Sequence, residues 1–328
     1  MHAGAETNQI DSAEVDAAQL RPSNAHGALI VARLITATLA GIWLAAQPAW
    51  WLWACGTLIL TGCLIQWFVV LHEAGHKTLF ASQALNVVFG HVAGFFAAFP
   101  FHSWRAIHHQ HHKWTGWQDK DPTTNILVPR ALPPAYKAAM NFCWRAWIPV
   151  FALVYRLNNY WNLPRLYRLF PSPAQRRRHR RNVFVLLGLY LAIGATALLA
   201  WGPMAVLSVI GLPLLLSNQL LDIVLLNQHT HVPMQVSEGR EVEPFSYAEQ
   251  VQFTRSLGFP RWFSRWIMLG FDAHELHHQY PRVPGYHLNT IRRPMPGEVP
   301  PLRWALAAKK IPAHVFLYSN RRQSGLTI

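Results

Sequence analysis

Two long stretches of the chain contain no Asp, Glu, Lys or Arg. Residues 34–71 form the first stretch and residues 182–221 the second. Gln47-Pro48 interrupts the first near its middle and Gly202-Pro203 the second, so each half is close to the ~20 apolar residues that a helix needs to cross a bilayer. Each stretch therefore predicts a helical hairpin with a tight turn outside the hydrocarbon layer.

The composition agrees with a membrane protein. The chain is 52% hydrophobic and 13% charged, whereas a soluble domain is roughly 25% charged. Uncharged runs of this length also exceed the ordinary buried helices of a soluble bundle. We therefore predict an all-α integral membrane protein with four transmembrane helices in two hairpins, at residues 29–46, 50–71, 183–201 and 204–226.

Three regions follow from this pattern. Residues 1–26 are polar and lack the basic start and apolar run of a secretory signal, so we expect a disordered tail. Residues 27–300 form the predicted membrane domain, and residues 301–328 a cytoplasmic C-terminal segment. The apolar stretches 83–101 and 147–155 are expected at the membrane interface or in a re-entrant position, because a crossing at 83–101 would separate the histidines before and after it.

The basic residues predict the orientation of the chain in the membrane. Residues 165–181, directly before the second hairpin, hold seven Arg and no acid, whereas both predicted turns are uncharged. By the positive-inside rule the turns face outward and both termini lie in the cytoplasm. We expect the inner membrane of a bacterial cell. The net charge of +14 then favours anionic membrane lipids and acidic proteins as partners, and not nucleic acid.

The chain contains 18 histidines, and three short motifs supply eight candidate metal ligands. HEAGH (72–76) offers two at i and i+4, while HHQHH (108–112) and HELHH (274–278) each offer three at i, i+3 and i+4, spacings that bring helical side chains together. The predicted topology places them at the cytoplasmic membrane surface, beside NQHTH (227–231). The candidate ligands are His72, His76, His108, His111, His112, His229, His274, His277 and His278, with His231 as the alternative to His229.

The number of ligands favours two metal ions. HEAGH alone matches the signature of a zinc metalloprotease with Glu73 as general base. An intramembrane protease of this kind needs a third ligand, for which Asp222 is the candidate, and it leaves the other two motifs unexplained. Nine imidazoles exceed the three protein ligands of a catalytic zinc but suit two ions with four or five nitrogens each. A metal transporter fits less well, because its ligands usually lie near the bilayer midplane within repeats.

The three motifs resemble the histidine boxes of the membrane fatty acid desaturase superfamily, HxxxH, HxxHH and HxxHH, in that order. HEAGHKTLF, SWRAIHHQHH and HHQYPRVPGYHL are similar to the boxes of its acyl-lipid branch, and the resemblance spans residues 29–290. It implies a cytoplasmic cap with a di-iron centre of two histidine-ligated, non-haem Fe ions.

The resemblance also implies a reaction. With O₂ as co-substrate, the enzyme would insert a double bond into a fatty acyl chain that is carried as a lipid or as an acyl thioester. Enzymes on the same scaffold hydroxylate acyl chains, form triple bonds or oxidise carotenoids, and these activities remain alternatives.

Three carboxylates are predicted to support the metal ligands. Glu73 and Glu275 lie inside histidine boxes and are expected to orient imidazoles. Asp222 precedes His229 by seven residues and shares its helical face, whereas His231 points to the opposite side if the helix continues. An ionisable group near the end of a span is costly unless it faces a polar interior, so His229 is the favoured ligand. A helix that ends before this motif would leave His231 as the alternative.

Electrons are expected to come from another protein. The sequence shows no Gly-x-Gly-x-x-Gly nucleotide motif, and Cys55, Cys63 and Cys143 fit neither an iron–sulfur cluster nor a disulfide framework. Because the cytoplasmic face is predicted to be basic, we expect an external electron donor that is acidic, such as ferredoxin.

Overall fold

The structure, a computed structural model, describes residues 21–292, 294–319, 321–326 and 328. The tail predicted to be disordered lies mostly outside these residues, and the first helix begins at Asn24. Within the described ranges the regular structure is helical, apart from two isolated backbone bridges. The predicted all-helical class is therefore confirmed.

The first hairpin consists of α1 (Asn24–Ala45) and α2 (Trp50–His76). The Ser23 hydroxyl caps α1 by accepting from a backbone N–H of its first turn. α2 ends at His76, the last residue of the first histidine motif, because Lys77 after it has a left-handed φ of 67°. Residues 63–74 of α2 are buried almost throughout, so this helix is the centre of the fold.

The next two helices, α3 (Gln83–Ala97) and α4 (Phe101–Trp114), meet at an angle of 97°. Ala98, with a left-handed φ of 57°, and Pro100 separate them. The pair is therefore not one straight crossing. The bend brings the second histidine motif, on α4, against the end of α2.

Three shorter helices follow: α5 (Pro134–Arg145), α6 (Val150–Arg156) and α7 (Leu163–Leu169). α6 continues as a π-helical segment, Leu157–Trp161. α5 and α6 leave several large apolar side chains exposed, and Phe142 is 66% exposed. A continuous exposed apolar surface of this kind is typical of contact with lipid or with another protein.

The longest helical run comprises α8 (Pro173–Val206), a π-helical segment and α9 (Leu212–His229), and it is apolar after its arginine-rich start. An unbroken helix of these 57 residues would be about 85 Å long, against ~30 Å of hydrocarbon in a bilayer. The run is broken at Gly202, whose φ of 75° and ψ of 163° are not helical, and Pro203 follows. Glycine permits this backbone conformation, which a residue with a Cβ rarely adopts.

The two halves of this run pack against different helices. Tyr190 of α8 donates a hydrogen bond to the Phe95 carbonyl on α3. Beyond the break, Ser208 accepts one from the indole of Trp53, near the start of α2, at 2.7 Å. α9 then packs along α2. Its last residue, His229, consequently lies at the same end of the molecule as the first histidine motif.

Three apolar helices are long enough to cross a membrane, or four if the bent α3–α4 pair is counted as one span. The three are α1, α2 and the run from α8 to α9. The structure thus has the several long apolar helices that the sequence predicts for a membrane protein.

The chain after α9 forms short helices, among which α12 carries the third histidine motif. They are α10 (Tyr247–Gln250), α11 (Arg261–Phe263), α12 (His274–Gln279), α13 (Gly285–Leu288), α14 (Pro301–Lys309), α15 (Ala313–Tyr318) and α16 (Arg321–Ser324).

The α1–α2 contact yields a test with an internal control. A Cβ on Gly56 would lie 2.7 Å from the Gly41 carbonyl oxygen and closer still to the backbone nitrogen of Ala45, whereas a Cβ on Gly62 of the same helix meets nothing within 4 Å. We expect Gly56→Ala to destabilise the protein by about 1–3 kcal/mol, because the helices must separate. Gly62→Ala should be neutral or slightly stabilising. Thermal unfolding in detergent measures both, and equal midpoints would contradict this packing.

Candidate metal centre

Nine histidine side chains converge in two adjacent sets of nitrogen atoms. Within each set the candidate ligand atoms all lie within 4.8 Å of one another. The first set, here called site 1, comprises His72, His76, His108, His112 and His277. The second, site 2, comprises His111, His229, His274 and His278.

The two motifs with three candidate ligands, HHQHH and HELHH, are each divided between the sites. In α4, His108 and His112 point to site 1 and His111 to site 2; in α12, His274 and His278 point to site 2 and His277 to site 1. Residues four apart share a helical face, whereas neighbours diverge by ~100°. The HxxHH spacing therefore contributes nitrogens to both sites from one helical turn, a division that the sequence reasoning did not predict.

The nitrogen atoms within each site face one another closely. In site 1 the Nε2 atoms of His76 and His108 are 2.7 Å apart, and those of His108 and His112 are 3.1 Å apart. In site 2 the Nε2 atom of His229 lies 3.0 Å from that of His111 and 2.8 Å from that of His274. Ligands at ~2.1 Å from one metal ion and at right angles to each other lie ~3.0 Å apart.

Oxygen atoms hold the other ring nitrogen of four ligands. Each Nδ1–H donates: His111 to Asp121 at 2.7 Å, His278 to Gln250 at 2.9 Å, His72 to Glu73 at 3.1 Å and His229 to the Phe253 carbonyl at 3.3 Å. A donating Nδ1 fixes the tautomer in which Nε2 carries a lone pair. These contacts turn the lone pairs of both sites inward.

The electrostatic environment favours neutral imidazoles. Burial lowers the pKa of His274, His277 and His278 well below the usual range of histidine, and neighbouring imidazoles lower it further. Desolvation penalises the protonated form. These side chains are therefore neutral at physiological pH, which is the state that binds a metal ion.

The donor set fits metal ions. Nε2 of His72 is buried without a hydrogen-bond partner, although buried polar atoms are nearly always satisfied. Nε2 atoms that point their lone pairs at each other across 2.7–3.1 Å repel one another unless a proton or a cation lies between them. One cation in each site would satisfy the His72 nitrogen and remove the repulsion.

His229 and His231 occupy different environments. His229 is the last residue of α9 and points into site 2. His231 has a left-handed φ of 57° and points away, with Nδ1 3.1 Å from the Ser319 carbonyl and Nε2 2.7 Å from the Ser324 hydroxyl. Arg255 holds the end of α9 by donating to the carbonyl oxygens of residues 227, 230 and 231.

The predicted carboxylates differ in their contacts. Glu73 contacts His72, as expected of a group that orients an imidazole. Glu275 instead accepts from the Gly297 N–H at 2.9 Å. Asp222 accepts from the Ala152 N–H, while the Phe253 carbonyl takes the place predicted for Asp222 beside His229. The hydrogen bonds therefore do not give Glu275 or Asp222 the predicted role.

The position of Asp222 also argues against an intramembrane zinc protease. It belongs to neither nitrogen set, so HEAGH gains no third ligand from it. His72 and His76 instead share site 1 with histidines from α4 and α12.

Two supporting residues were missed by the sequence reasoning. Asp121 is fully buried, and its carboxylate also accepts from the Thr123 hydroxyl at 2.8 Å. Gln250 donates to the His112 carbonyl at 2.8 Å while its own carbonyl faces His278. The signal for Asp121 was an acid within ten residues of HHQHH, next to a proline that favours a turn. Gln250 lies in a polar stretch without a recognisable motif.

A cavity of about 560 Å³ adjoins both sites. Five of the ligands line it: His72, His108, His111, His229 and His274. The rest of the lining is largely apolar and includes Phe68, Met140, Phe151, Leu226 and Phe271. Arg130 and Tyr136 line the cavity and are exposed, so the cavity meets the surface there.

Long apolar helices that end in a buried cluster of nine imidazoles define a membrane protein with a candidate metal centre. The chain belongs to the fatty acid desaturase family, whose family model matches residues 48–309. The resemblance seen in the histidine motifs is thereby confirmed, and the family identifies the protein as an oxidoreductase.

Curated relatives carry desaturase names. A probable fatty acid desaturase of Sorghum bicolor is 28% identical over 79% of this chain and 67% of its own length. An sn-1 oleoyl-lipid 12-desaturase of Picosynechococcus is 27% identical over 75% and 67%. An acyl-lipid omega-3 desaturase (cytochrome b5), endoplasmic reticulum, of Arabidopsis thaliana is 28% identical over 73% and 62%. The chain thus spans about two thirds of the length of these relatives.

The first prediction for the site tests which histidine of NQHTH, His229 or His231, binds a metal ion. We expect His229→Ala to lower the metal content by about one ion per chain, because site 2 loses one of its four nitrogens whereas site 1 keeps all five. His231→Ala should retain both ions, since its ring bonds only to the C-terminal segment. Metal analysis of the two purified variants measures this difference. Loss of an ion from His231→Ala alone would reverse the assignment.

The second prediction concerns the support of His111. Asp121→Asn should weaken metal binding at site 2 by about 10–100-fold, because the carboxylate no longer fixes the tautomer of His111. Asp119→Asn is the matched control, since Asp119 accepts from Ser237 and belongs to neither site. Titration with a chelator compares the two variants. Equal metal retention in both would show that Asp121 does not support the ligand.

Proposed function

We propose that the protein is an O₂-dependent fatty acyl desaturase whose nine histidines hold two iron ions. The observation that carries the proposal is the paired convergence of five and four imidazole nitrogens beside an apolar cavity. Membership of the desaturase family supplies the class of reaction. The nine ligands proposed are those of sites 1 and 2, with His229 in preference to His231.

The donor set supports iron over a tetrahedral zinc. Five nitrogens in site 1 exceed the four ligands of a structural zinc and the three protein ligands of a catalytic one. Separations near 3 Å between neighbouring nitrogens are those of ligands at right angles, as in a six-coordinate ion. All-imidazole ligation with positions left for oxygen suits redox-active iron.

When bound, the two irons would supply the O₂ chemistry that removes one hydrogen from each of two adjacent carbons of an acyl chain. The protein's own residues have other tasks. The apolar wall holds the chain and excludes water, which would compete for the oxidant. Asp121, Gln250 and Glu73 hold imidazole protons at Nδ1, so Nε2 of each ligand stays available.

The proposed topology has four crossings: α1, α2 and the two halves of the broken run, divided at Gly202. The break supports this division, since a single crossing cannot accommodate 57 residues. Both turns then lie on the outer side. The metal centre, the arginine-rich start of α8 and both termini lie on the cytoplasmic side, by the positive-inside rule. The proposed location is the inner membrane of a bacterial cell.

The substrate is proposed to be a fatty acyl lipid that enters from the membrane. Val154 lines the cavity and is 53% exposed on the apolar surface of α5 and α6. An acyl chain could therefore pass from the bilayer into the cavity without crossing water. Two of the relatives are named as an acyl-lipid and an oleoyl-lipid desaturase, which supports a lipid-bound chain over an acyl thioester.

Electrons are proposed to arrive from a separate acidic carrier. His76 and His108 are the partly exposed ligands of site 1, and Lys77 next to His76 is exposed. Lys113, next to His112, is exposed as well. Two cations beside the accessible edge of the centre favour an acidic partner. Ferredoxin is our proposed donor, and cytochrome b5, named for the Arabidopsis relative, is the same kind of one-electron carrier.

The proposal is tested by lipid analysis of a host that expresses the chain. We expect a new double bond in membrane acyl chains and about two irons in the purified protein, in line with the two sets of nitrogens. His277→Ala should abolish the product and lower the iron content. His314→Ala, which contacts Asn141 and neither site, should retain both.

The product separates this proposal from its alternatives. A new hydroxyl group or triple bond would overturn desaturation in favour of another oxidation at the same centre. Unchanged lipids together with one zinc and no iron in a folded protein would contradict the di-iron proposal as well.

A further inference from the structure

A second cavity lies beside α11 and the π-helical segment that follows it. It has a volume of about 980 Å³ and is separate from the cavity beside the metal centre. Three arginines line it: Arg261, Arg265 and Arg292. None of its lining residues belongs to site 1 or site 2.

The segment from Arg261 to Met268 has one buried and one exposed side. Ser264 and Met268 are buried, whereas Trp262 is 64% and Trp266 50% exposed. Exposed tryptophans flanked by arginines are typical of a segment that lies in a membrane–water interface.

Contacts with α1 and α2 determine the depth at which residues 261–268 lie in the bilayer. The Trp266 carbonyl accepts from the guanidinium of Arg33 and from the side-chain amide of Gln66, each at 2.7 Å. Along α2, Gln66 lies about 24 Å from Trp50, which is close to the ~30 Å thickness of a hydrocarbon core. Trp50 is 77% exposed and stands at the opposite end of the hairpin.

The opposite end carries its own group of exposed tryptophans. They are Trp43, Trp50, Trp51 and Trp201, each more than half exposed. The molecule therefore has aromatic residues at two levels, as expected for the two interfaces of one bilayer. The segment from Arg261 to Met268 belongs to the level nearer the metal centre.

Two of the three arginines in the cavity carry uncompensated charge. Arg292 is paired with Asp272 at 2.6 Å and with Glu298 at 2.9 Å. Arg261 and Arg265, one helical turn apart, form no ion pair within the described residues. An anion in the cavity would meet two free guanidinium groups.

We propose that this cavity binds the phosphate of an anionic phospholipid. Arginine guanidinium groups bind phosphate oxygens in a bidentate manner, and the tryptophans on the same segment place the cavity at headgroup level. Phosphate binding in this cavity does not depend on the proposed topology, which serves only to assign the bound lipid to the cytoplasmic leaflet. The site acts independently of the iron chemistry.

Native mass spectrometry of the metal-loaded protein tests the site. The probes are phosphatidylglycerol and phosphatidylcholine with the same acyl chains. We expect the wild type to retain phosphatidylglycerol preferentially, and Arg261→Gln/Arg265→Gln to weaken its binding by about 30-fold, as for two arginines at an anionic membrane surface. Arg321→Gln/Arg322→Gln removes two exposed charges of α16 and should keep the preference.

Three results would overturn the proposal: equal retention of the two lipids by the wild type, an unchanged preference in Arg261→Gln/Arg265→Gln, or an equal loss in the control. Displacement of the lipid by inorganic phosphate at a similar concentration would overturn it too, since the site would then take a soluble anion. If the double variant does not fold, each single substitution should weaken binding by about fivefold. The metal content of each variant is measured alongside. A variant that keeps its metal but loses the lipid preference has lost the lipid site and not the metal centre.

Discussion

The convergence of neutral imidazole nitrogens is the interaction on which the structure depends. Nine such groups packed beside an apolar cavity repel one another and leave buried polar atoms unsatisfied unless cations lie between them. A metal ion bound in each set would therefore contribute to folding as well as to the proposed chemistry. Histidines from α2, α4, α9 and α12 meet there, and α4 and α12 contribute to both sites. Their Nδ1 partners, with Arg255 at the end of α9, maintain this arrangement.

The sequence predicted the features that follow from local rules. Charge-free stretches marked the long apolar helices, since a bilayer requires about 20 uncharged residues for each crossing. Histidine spacing marked the ligands, since i and i+4 share a helical face. The preference for His229 also followed from such a rule, and the structure places that residue in site 2. The predicted reason was that Asp222 supports His229, but Asp222 bonds to the backbone of α6 instead.

The remaining features depend on contacts between segments that are distant in sequence. The division of HxxHH between sites 1 and 2 is set by where α2 and α9 end relative to α4. Gln250, the last residue of the short helix α10, reaches His278 although no sequence motif marks it. The 97° bend between α3 and α4 arises from the αL conformation of Ala98 together with Pro100, and periodicity cannot give its angle. Glu275 lies within a histidine box and yet bonds to Gly297, so sequence proximity to a ligand does not ensure contact with it.

The most direct test is diffraction from crystals of the purified protein at wavelengths above and below the iron absorption edge. The account predicts two anomalous peaks that vanish below the edge energy, one among the Nε2 atoms of His72, His76, His108, His112 and His277, and one among those of His111, His229, His274 and His278. A single peak, a peak bound by His231, or a signal at the zinc edge alone would contradict it.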